Sequence, residues 1–393
     1  MCNVDNIRFL IGLPLSKSVR ARELMLDALN GREVEIEDEN DDIFVLSRAL
    51  RQCTMLNAQL GVEIELDLHH SGTALRFLTA YCAVSEGEFL LTGSERLCER
   101  PIKPLVDALI VMGADISYVD KWGFAPLRVR GKALRGGRVR LDASVSSQFA
   151  SALMLIADKV DGGVEIEYDG GVASKSYIRL TRSVIDRYKR GMCSSGDRDW
   201  SSATVWYAVM AILQKGEFVL EGLSLDSIQP DRLFVDVFEK LGVQTVATER
   251  GVKLYGGGFV TDRMVLDGGD MPDAVMYIIV VACLLGVEFE ISRIETLRVK
   301  ESDRIGALMA EMRKFGFVLQ YDGKGRICWY GEKCEGEKVP CINTYGDHRM
   351  AMSMAVVGLM REIKIENPEV VNKSYPNFWN EFDKVKNICC GLK

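Results

Sequence analysis

The sequence has few residues that bind metal ions, and they are poorly placed for it. Only three histidines occur, His69, His70 and His348, and none lies at ligand spacing from a cysteine. The 11 cysteines are odd in number and dispersed, and no two of them form a Cys-x-x-Cys pair. The sequence therefore predicts no metal site, and its cysteines are typical of reduced thiols in a cytoplasm.

Segments that would direct the chain to a membrane are also missing. The start, MCNVDNIRFLIGL, has neither the basic head nor the long apolar run of a signal peptide. No window has the 18 or so unbroken apolar residues of a membrane span. The richest stretch, AVMYIIVVACLLGVEFEI, ends in an acidic tail that resembles a strand. We expect a buried helix there and a cytoplasmic protein.

Positive charge is in deficit, with 49 Lys and Arg residues against 56 Asp and Glu residues and a net charge of −7. This balance argues against a nucleic-acid partner, which requires a basic surface. The remaining composition, 48% hydrophobic and 27% charged, is typical of a globular protein in solution. A chain of 393 residues predicts two or three domains with ample core.

What the sequence does contain is a repeat. Three segments share an arginine, a helical pattern, a glycine suited to a helix end and a short alternating run: RPIKPLVDALIVMGADISYV, DRLFVDVFEKLGVQTVA and DRIGALMAEMRKFGFVLQY. With three looser relatives and a second family of helices, the chain reads as six copies of helix, strand, helix, strand. Six copies suggest two domains of three, with a junction near residues 194–200.

The helices of the second family begin with short polar sequences that suit an anion site. These sequences are Ser16-Lys17-Ser18, Ser71-Gly72-Thr73, Ser146-Ser147-Gln148, Ser201-Ser202, Pro272-Asp273 and Asp347-His348-Arg349. Capping of the helix by a short polar side chain explains several of them, Ser201-Ser202 included. Capping does not explain cations in a first turn, where they oppose the helix dipole. The helix starts therefore also favour binding of anions.

Seven motifs, in order along the chain, resemble those of the 5-enolpyruvylshikimate-3-phosphate synthase family: LPLSKSVRAR, SGTALRFLTA, ERPIKPLVDAL, SVSSQFASALM, PDAVM, LRVKESDRI and YGDHRMAM. The resemblance runs from about residue 8 to residue 385. It implies an α/β fold, a two-domain inside-out α/β barrel with three βαβαββ repeats in each domain and the active site in the interdomain cleft. The implied domains are residues 15–197, and residues 1–14 with 198–393.

The family reaction transfers the carboxyvinyl group of phosphoenolpyruvate to the 5-hydroxyl of shikimate 3-phosphate and releases phosphate, on the shikimate pathway to aromatic amino acids. By resemblance, no cofactor or metal takes part. The expected partners are these two small molecules, with no nucleic acid and no membrane, and the expected state is a monomer. Both substrates are anions, so the site needs cations, and seven fall in or near the motifs: Lys17, Arg22, Arg100, Lys300, Arg304, Arg349 and Lys373.

The resemblance also implies roles for single residues. Asp273 is the implied base for the 5-hydroxyl, and Glu301 or Lys17 is the implied proton donor to the methylene carbon. Shikimate 3-phosphate would contact Lys17, Ser18, Arg22, Ser146, Ser147, Gln148, Ser174, Tyr177, Asp273 and Lys300. Phosphoenolpyruvate would contact Lys17, Gly72, Thr73, Arg100, Gln148, Arg304, His348, Arg349 and Lys373.

Simpler explanations exist for several of these residues. Asp273 could cap the apolar helix that follows, and Glu301 could form an ordinary helical pair with Arg304. Gly72 could be a plain turn glycine, and His348 could be structural.

The sequence departs from the family pattern at several positions. Leu15 stands where the family usually has glycine, and Arg198 replaces a frequent acidic residue. His69, His70 and Ser71 replace the usual Gly-Asn-Ala or Gly-Asn-Gly, and Thr296 a common asparagine. These departures predict altered affinity for phosphoenolpyruvate and for its analogue glyphosate.

Two rival functions remain at this stage. The first is the sister enzyme that transfers enolpyruvate to UDP-N-acetylglucosamine, whose fold resembles this repeat pattern. That enzyme has Lys-Asn where this chain has Lys17-Ser18, and it has a reactive cysteine in the region of Cys98. A buried, inert thiol is the simpler explanation of Cys98. A non-catalytic relative that only binds anions is the second rival, although it would have no need of Asp273, Glu301 and Lys17 together.

Overall fold

Helices and strands are interspersed along the chain in the computed structural model, which describes residues 8–37, 40–56, 62–192 and 196–390. The helices are α1 (Lys17–Leu29), α2 (Asp41–Leu56), α3 (Gly72–Val84), α4 (Glu95–Cys98), α5 (Lys103–Val111), α6 (Gln148–Ile156), α7 (Lys175–Lys189), α8 (Trp200–Leu213), α9 (Phe234–Glu239), α10 (Val275–Leu285), α11 (Arg304–Lys314), α12 (His348–Ala355) and α13 (Phe378–Cys390). The strands are β1 (Arg8–Ile11), β2 (Glu63–Asp67), β3 (Gly87–Thr92), β4 (Asp115–Tyr118), β5 (Leu127–Gly131), β6 (Arg135–Leu141), β7 (Asp161–Tyr168), β8 (Glu217–Glu221), β9 (Gln244–Thr248), β10 (Gly251–Tyr255), β11 (Arg263–Asp267), β12 (Glu288–Ser292), β13 (Gln320–Tyr321), β14 (Ile327–Trp329), β15 (Cys341–Ile342) and β16 (Lys364–Ile365).

The chain divides into two compact units. The first unit is Lys17–Ser195, and the second unit is Met1–Ser16 together with Gly196–Lys393. Strand β1 belongs to the second unit because it pairs in parallel with β8, where Phe9 lies opposite Phe218 and Ile11 opposite Leu220. The sequence-based boundaries were 15 and 197, and Ser194 and Ser195 of the expected junction lie outside the described residues.

Three four-stranded sheets share one topology, with the strand orders β2-β3-β5-β4, β1-β8-β10-β9 and β11-β12-β14-β13. In each sheet the first two strands are parallel and the other neighbours are antiparallel. A parallel pair needs a crossover, usually a helix, whereas an antiparallel pair needs only a short turn. This topology is the βαβαββ pattern, once in the first unit and twice in the second unit.

The remaining strands form smaller sheets. β6 pairs in parallel with β7, and β15 pairs in parallel with β16, so these segments keep the parallel pair alone. Helices α1 and α2 follow one another without a strand between them in the described ranges 17–37 and 40–56. The mixed α/β class in two units is as the sequence predicted, but the described residues carry the full four-strand repeat three times rather than six.

Apolar helices fill the core of the second unit. Helix α10 is buried from Val275 to Cys283, and α8 is buried from Trp200 to Ala211. Both are hydrophobic on every side, as a helix enclosed by other elements must be. The apolar stretch that predicted a buried helix is thus α10 followed by β12. In the described ranges, no helix combines the length and apolar character needed to cross a membrane.

Candidate active site

In the first unit, the start of α1 carries two of the implied cations. Lys17 forms an ion pair with Asp42 of α2, at 2.9 Å between Nζ and Oδ2. Arg22 lies one turn later and is 3% exposed. Its Nη1 donates to the carbonyl oxygen of Ser18 (2.6 Å), and its Nε donates to Oγ1 of Thr181 (2.8 Å). The start of α1 is therefore tied both to α2 and to α7.

Arg22 is a buried cation whose hydrogen-bond partners are neutral. Its Nη2 donates to Oγ of Ser151, its guanidinium lies over the ring of Phe77, and no acidic side chain pairs with it within the described residues. Burial lowers the pKa of Arg22 to about 10. A buried charge without a counter-ion costs free energy that a bound anion would recover, so Arg22 is suited to an anionic ligand.

The starts of α3, α6 and α7 hold most of the other implied ligands in this unit. Gln148 begins α6 directly after Ser146 and Ser147, and its Nε2 donates to Oγ1 of Thr73 at 2.9 Å. Ser174 precedes α7 with a left-handed backbone (φ 47°), and Tyr177 lies in the first turn of α7. The carbonyl oxygen of Tyr177 accepts from Thr181, the residue that also contacts Arg22.

Gly72, the first residue of α3, allows a close approach of two guanidinium groups. A Cβ at Gly72 would lie 2.4 Å from Nη1 of Arg100 and 2.6 Å from Nη1 of Arg76. Nε of Arg100 is buried without a hydrogen-bond partner, and no acidic side chain within the described residues pairs with Arg100. Gly72 is therefore more than a turn residue, because any side chain would displace cations from the start of a helix, where anions bind.

In the second unit, Arg304 is the centre of an ion-pair network. It is 2% exposed and contacts three carboxylates: Asp273 through Nη1 (2.7 Å), Glu301 through Nη2 (3.0 Å) and Asp347 through Nε (2.8 Å). Burial lowers the pKa of Arg304, but the carboxylates, Asp347 foremost, raise it above its ordinary value. Arg304 is thus held as a cation by residues that lie 3 to 43 positions away.

Arg349 and Asp273 extend this network. Asp273 accepts from Arg304 through Oδ1 and lies 3.4 Å from Nη2 of Arg349 through Oδ2. Arg349 is buried, and its Nη1 donates to the carbonyl oxygen of Ser201 at 2.9 Å. Burial lowers the pKa of Arg349, while Asp273 and neighbouring anions raise it well above its ordinary value. Two cations thus contact the implied base.

Asp273 does not cap a helix, contrary to the simpler explanation. Helix α10 begins two residues later, at Val275, and its first turn has no side-chain cap. The cap at Ser201-Ser202 is also different from the one expected, because Asp199 caps α8 and accepts from the backbone N–H of Ser202. The carboxylate of Asp273 is therefore available to the network of arginines.

Glu301 joins the last implied ligand to the same network. Its Oε1 lies 3.1 Å from Nζ of Lys373, and its Oε2 lies 3.0 Å from Arg304. The pair with Arg304 has the i,i+3 spacing that the sequence suggested, but Glu301 lies before α11 rather than on a helix. The contact with Lys373 spans 72 positions. Lys300 directly precedes Glu301 and is half-buried. Glu301 thus holds two implied ligands of phosphoenolpyruvate.

Helix α12 begins at this network. Asp347 accepts from the backbone N–H of Arg349 (2.9 Å) and from Oγ of Ser302 (3.0 Å). His348 is buried, with Nδ1 3.8 Å from Oδ1 of Asp347. Asp347 therefore caps α12, binds Arg304 and accepts from Ser302 at once, a triple role that no spacing in the sequence indicated.

The loop before Asp347 is held to α11 at two points. Arg304 at the start of α11 contacts Asp347, and Glu311 further along accepts from the hydroxyl of Tyr345 at 2.8 Å. Burial and the hydrogen bond to Glu311 raise the pKa of Tyr345 to about 12. Tyr345 and Gly346 both have left-handed backbones, with φ of 54° and 66°. A non-glycine residue keeps such a conformation only where its surroundings enforce it.

Sequence reasoning missed a buried carboxyl group beside this network. Asp231 is 2% exposed and accepts from the hydroxyl of Ser201. Burial, with the nearby charge of Asp273, raises the pKa of Asp231 to about 6. The one available signal was its place at the start of a repeat segment, where Asp303 stands in the next copy.

No three His, Cys, Asp or Glu side chains form a metal cluster in the ranges that the structure describes. Cys98, the residue relevant to the rival UDP-sugar reaction, donates weakly to the carbonyl oxygen of Gly93 at 3.8 Å. Burial raises the pKa of the Cys98 thiol, which disfavours the reactive thiolate.

The sequence pattern that defines the family EPSP synthase (3-phosphoshikimate 1-carboxyvinyltransferase) matches residues 10–191 and 195–382. The chain belongs to this family. A 3-phosphoshikimate 1-carboxyvinyltransferase of Bacteroides fragilis (strain YCH46) is 36% identical, over 97% of this chain and 96% of the relative. Another 3-phosphoshikimate 1-carboxyvinyltransferase, from Colwellia psychrerythraea, is 34% identical over 97% of this chain and 96% of the relative. Family membership, as predicted from the motifs, does not favour the UDP-sugar enzyme.

Solved structures of the family share the fold. An EPSP synthase structure from Acinetobacter baumannii superposes with a TM-score of 0.68 at 20% identity, and covers 96% of each chain. A second EPSP synthase structure from the same organism superposes with a TM-score of 0.67 at 18% identity.

Two departures from the family pattern lie in contact with each other. Leu15 and Arg198 form an isolated antiparallel bridge, and Nη1 of Arg198 donates to the carbonyl oxygen of Leu13 at 3.0 Å. A third departure, His69, has a left-handed backbone (φ 48°), and its ring lies 3.5 Å from Asp67. Leu15 and Arg198 thus form one local feature of the second unit rather than two separate changes.

Proposed function

We propose that the protein transfers the carboxyvinyl group of phosphoenolpyruvate to the 5-hydroxyl of shikimate 3-phosphate and releases phosphate. The observation that carries this proposal is the buried network in which Asp273 contacts Arg304 and Arg349, and Glu301 contacts Arg304 and Lys373. It combines cations suited to anionic substrates with two carboxyl groups suited to proton transfer. Relatives named 3-phosphoshikimate 1-carboxyvinyltransferase match nearly the whole chain.

The reaction has two steps. In the addition, the 5-hydroxyl oxygen attacks the central carbon of phosphoenolpyruvate while Asp273 takes the hydroxyl proton, and Glu301 or Lys17 donates a proton to the methylene carbon. In the elimination, the bond from the central carbon to the phosphate oxygen breaks, and the group that donated the proton in the addition, Glu301 or Lys17, takes a proton back from the new methyl group, which restores the double bond. Arg304 and Arg349 offset the charge of Asp273 and of the departing phosphate.

Each of the two substrates has its own set of proposed contacts. We propose that shikimate 3-phosphate is bound by Lys17, Ser18, Arg22, Ser146, Ser147, Gln148, Ser174, Tyr177, Asp273 and Lys300. We propose that phosphoenolpyruvate is bound by Lys17, Gly72, Thr73, Arg100, Gln148, Arg304, His348, Arg349 and Lys373. The absence of acidic partners at Arg22 and Arg100, within the described residues, supports these assignments because both guanidinium groups are suited to carboxylate or phosphate.

The expected setting of the reaction follows from the family and from composition. We infer a monomer in the cytoplasm that acts on small molecules, without a nucleic-acid or membrane partner. The net charge of −7 and the absence of disulfides among the described cysteines support this inference.

The test is phosphate release from phosphoenolpyruvate in buffer with a chelator, with and without shikimate 3-phosphate, and with UDP-N-acetylglucosamine as the rival acceptor. We expect release only with shikimate 3-phosphate. Asp273→Ala should lower kcat by about 100-fold or more, because a positioned base contributes that much. Asp267→Ala, on the exposed end of β11, is the control. Release that needs no acceptor, or an Asp273→Ala variant as active as the control, would refute the proposal.

A further inference from the structure

Arg76 is a buried arginine to which neither the motifs nor the proposed chemistry assigns a role. It lies on α3, one turn after Gly72, and is 2% exposed. Its Nη1 donates to the carbonyl oxygen of Gly72 at 2.8 Å, and its Nη2 donates to the carbonyl oxygen of Pro101 at 3.3 Å. Its guanidinium lies over the ring of Phe149, 5.5 Å from the centroid. One planar group thus contacts three separate segments.

Each of these segments carries proposed ligands of phosphoenolpyruvate. Gly72 is itself such a ligand and begins α3. Arg100 directly precedes Pro101, and Gln148 directly precedes Phe149. The planar fork of Arg76 donates to the two carbonyl groups from two nitrogens at a fixed separation, which the single nitrogen of an ammonium group cannot reproduce. Arg76 is therefore placed to set the distance between Gly72 and Arg100.

Two guanidinium groups of like charge lie beside Gly72. Nη1 of Arg76 and Nη1 of Arg100 approach the same side of Gly72, since both lie within 2.6 Å of the position that a Cβ would take there. Two like charges this close repel each other unless an anion offsets them. The two carbonyl groups offset part of the charge of Arg76, and Arg100 has no acidic partner within the described residues. A bound carboxylate or phosphate would offset the charge of Arg100.

We propose that Arg76 is a positioning residue for phosphoenolpyruvate: it holds Gly72 and Arg100 at the separation that the anion requires without touching the anion. This inference rests on the proposed function. It predicts that loss of the fork weakens binding of phosphoenolpyruvate far more than binding of shikimate 3-phosphate. The proposed ligands of shikimate 3-phosphate include neither Gly72 nor Arg100.

The test compares Arg76→Lys, which keeps the charge and loses the fork, with the wild type. We expect the KM for phosphoenolpyruvate to rise about ten-fold or more, since hydrogen bonds from a charged donor are lost. The KM for shikimate 3-phosphate should stay within about two-fold. Arg32→Lys is the matched control, because Arg32 also lies over a ring, that of Tyr188, but is exposed. A merely structural role of Arg76 would lower the melting temperature and leave the ratio of the two KM values unchanged.

A double-mutant cycle with Arg100→Lys decides whether Arg76 acts through Arg100. If it does, the double variant should raise the KM for phosphoenolpyruvate little more than Arg100→Lys alone. Independent, multiplying effects, or an Arg76→Lys variant within two-fold of wild type, would overturn the inference and leave the proposed function standing.

A wild type without turnover would instead refute the proposed function. The inference is then tested by titrating the wild type and the same variants with phosphoenolpyruvate and measuring the rise of each melting temperature. Weaker protection of Arg76→Lys than of the Arg32→Lys control would support the inference, and equal protection would overturn it.

Discussion

Neutralising Asp347 should destabilise the second unit far more than neutralising an exposed aspartate of the same local geometry. Asp347 is fully buried and its partner Arg304 is 2% exposed, with 2.8 Å between Oδ2 and Nε. Asp347→Asn keeps an acceptor for the backbone N–H of Arg349 and so keeps the cap of α12. Because Nδ2 then takes the place of Oδ2 and faces Nε of Arg304, the substitution removes one charge and the hydrogen bond from Nε, and it leaves the cap in place.

The expected cost follows from burial. Breaking a buried ion pair by removing one partner costs about 3–5 kcal/mol. Arg304 keeps Asp273 and Glu301 as partners, so we place the loss at the lower end, about 3 kcal/mol. In urea this corresponds to a midpoint lowered by roughly 1 M or more. Fluorescence of the buried Trp200 and Trp206 reports the unfolding of this unit.

Asp267→Asn is the matched control. Oδ1 of Asp267 accepts from the backbone N–H of Gly269 at 2.9 Å, and Oδ2 pairs with Arg293 at 2.6 Å, so the bonding repeats that of Asp347. Both side chains of this pair are about half exposed, and an exposed pair contributes less than about 1 kcal/mol. Equal losses in the two variants would show that burial of the network does not govern its energy, and would refute the reasoning.

Two further predictions concern the same unit. Since burial and Asp273 raise the pKa of Asp231 to about 6, the native protein keeps a proton there that the unfolded chain releases above about pH 4. Wild type should therefore lose stability relative to Asp231→Asn as the pH rises from about 4 to 6 and not beyond, whereas parallel stability curves would contradict this. Tyr345→Phe removes the hydrogen bond to Glu311 and should cost about 1–2 kcal/mol in urea unfolding. Tyr255→Phe is the control, because its hydroxyl has no hydrogen bond within the described residues, and equal losses would contradict the role of Glu311.

The fold class and the family were readable from the sequence for a local reason. A helix start, a glycine at a helix end and an alternating run each depend on residues within a few positions, so repeated copies are visible without coordinates. Where the repeats are reduced, as at β6–β7 and β15–β16, the same helical patterns persist although the antiparallel strands do not follow. Pairing of strands depends on distant partners, so local patterns alone do not show which strands pair in these segments.

The contacts of the implied site residues also differ in how far they reach along the chain. The pair of Glu301 and Arg304 spans three positions, and the sequence suggested it as a helical pair, although Glu301 lies before α11, which begins at Arg304. The contacts that give Asp273 its environment span 31 and 76 positions, and the bond from Arg22 to Thr181 spans 159. No periodicity reaches across such separations, so the choice between a capping and a network role for Asp273 had to come from coordinates.

By itself, the sequence determined the mixed α/β class, the buried character of α10 and membership of the family, because short-range patterns and motifs carry that information. Tertiary structure alone decided that Asp231 is buried beside the network, that Asp347 serves Arg304 and Arg349 together, and that Arg76 joins three segments. The physical reason is that burial and ion pairing are properties of packing. A charge acquires its energy from neighbours that folding supplies, whatever their distance along the chain.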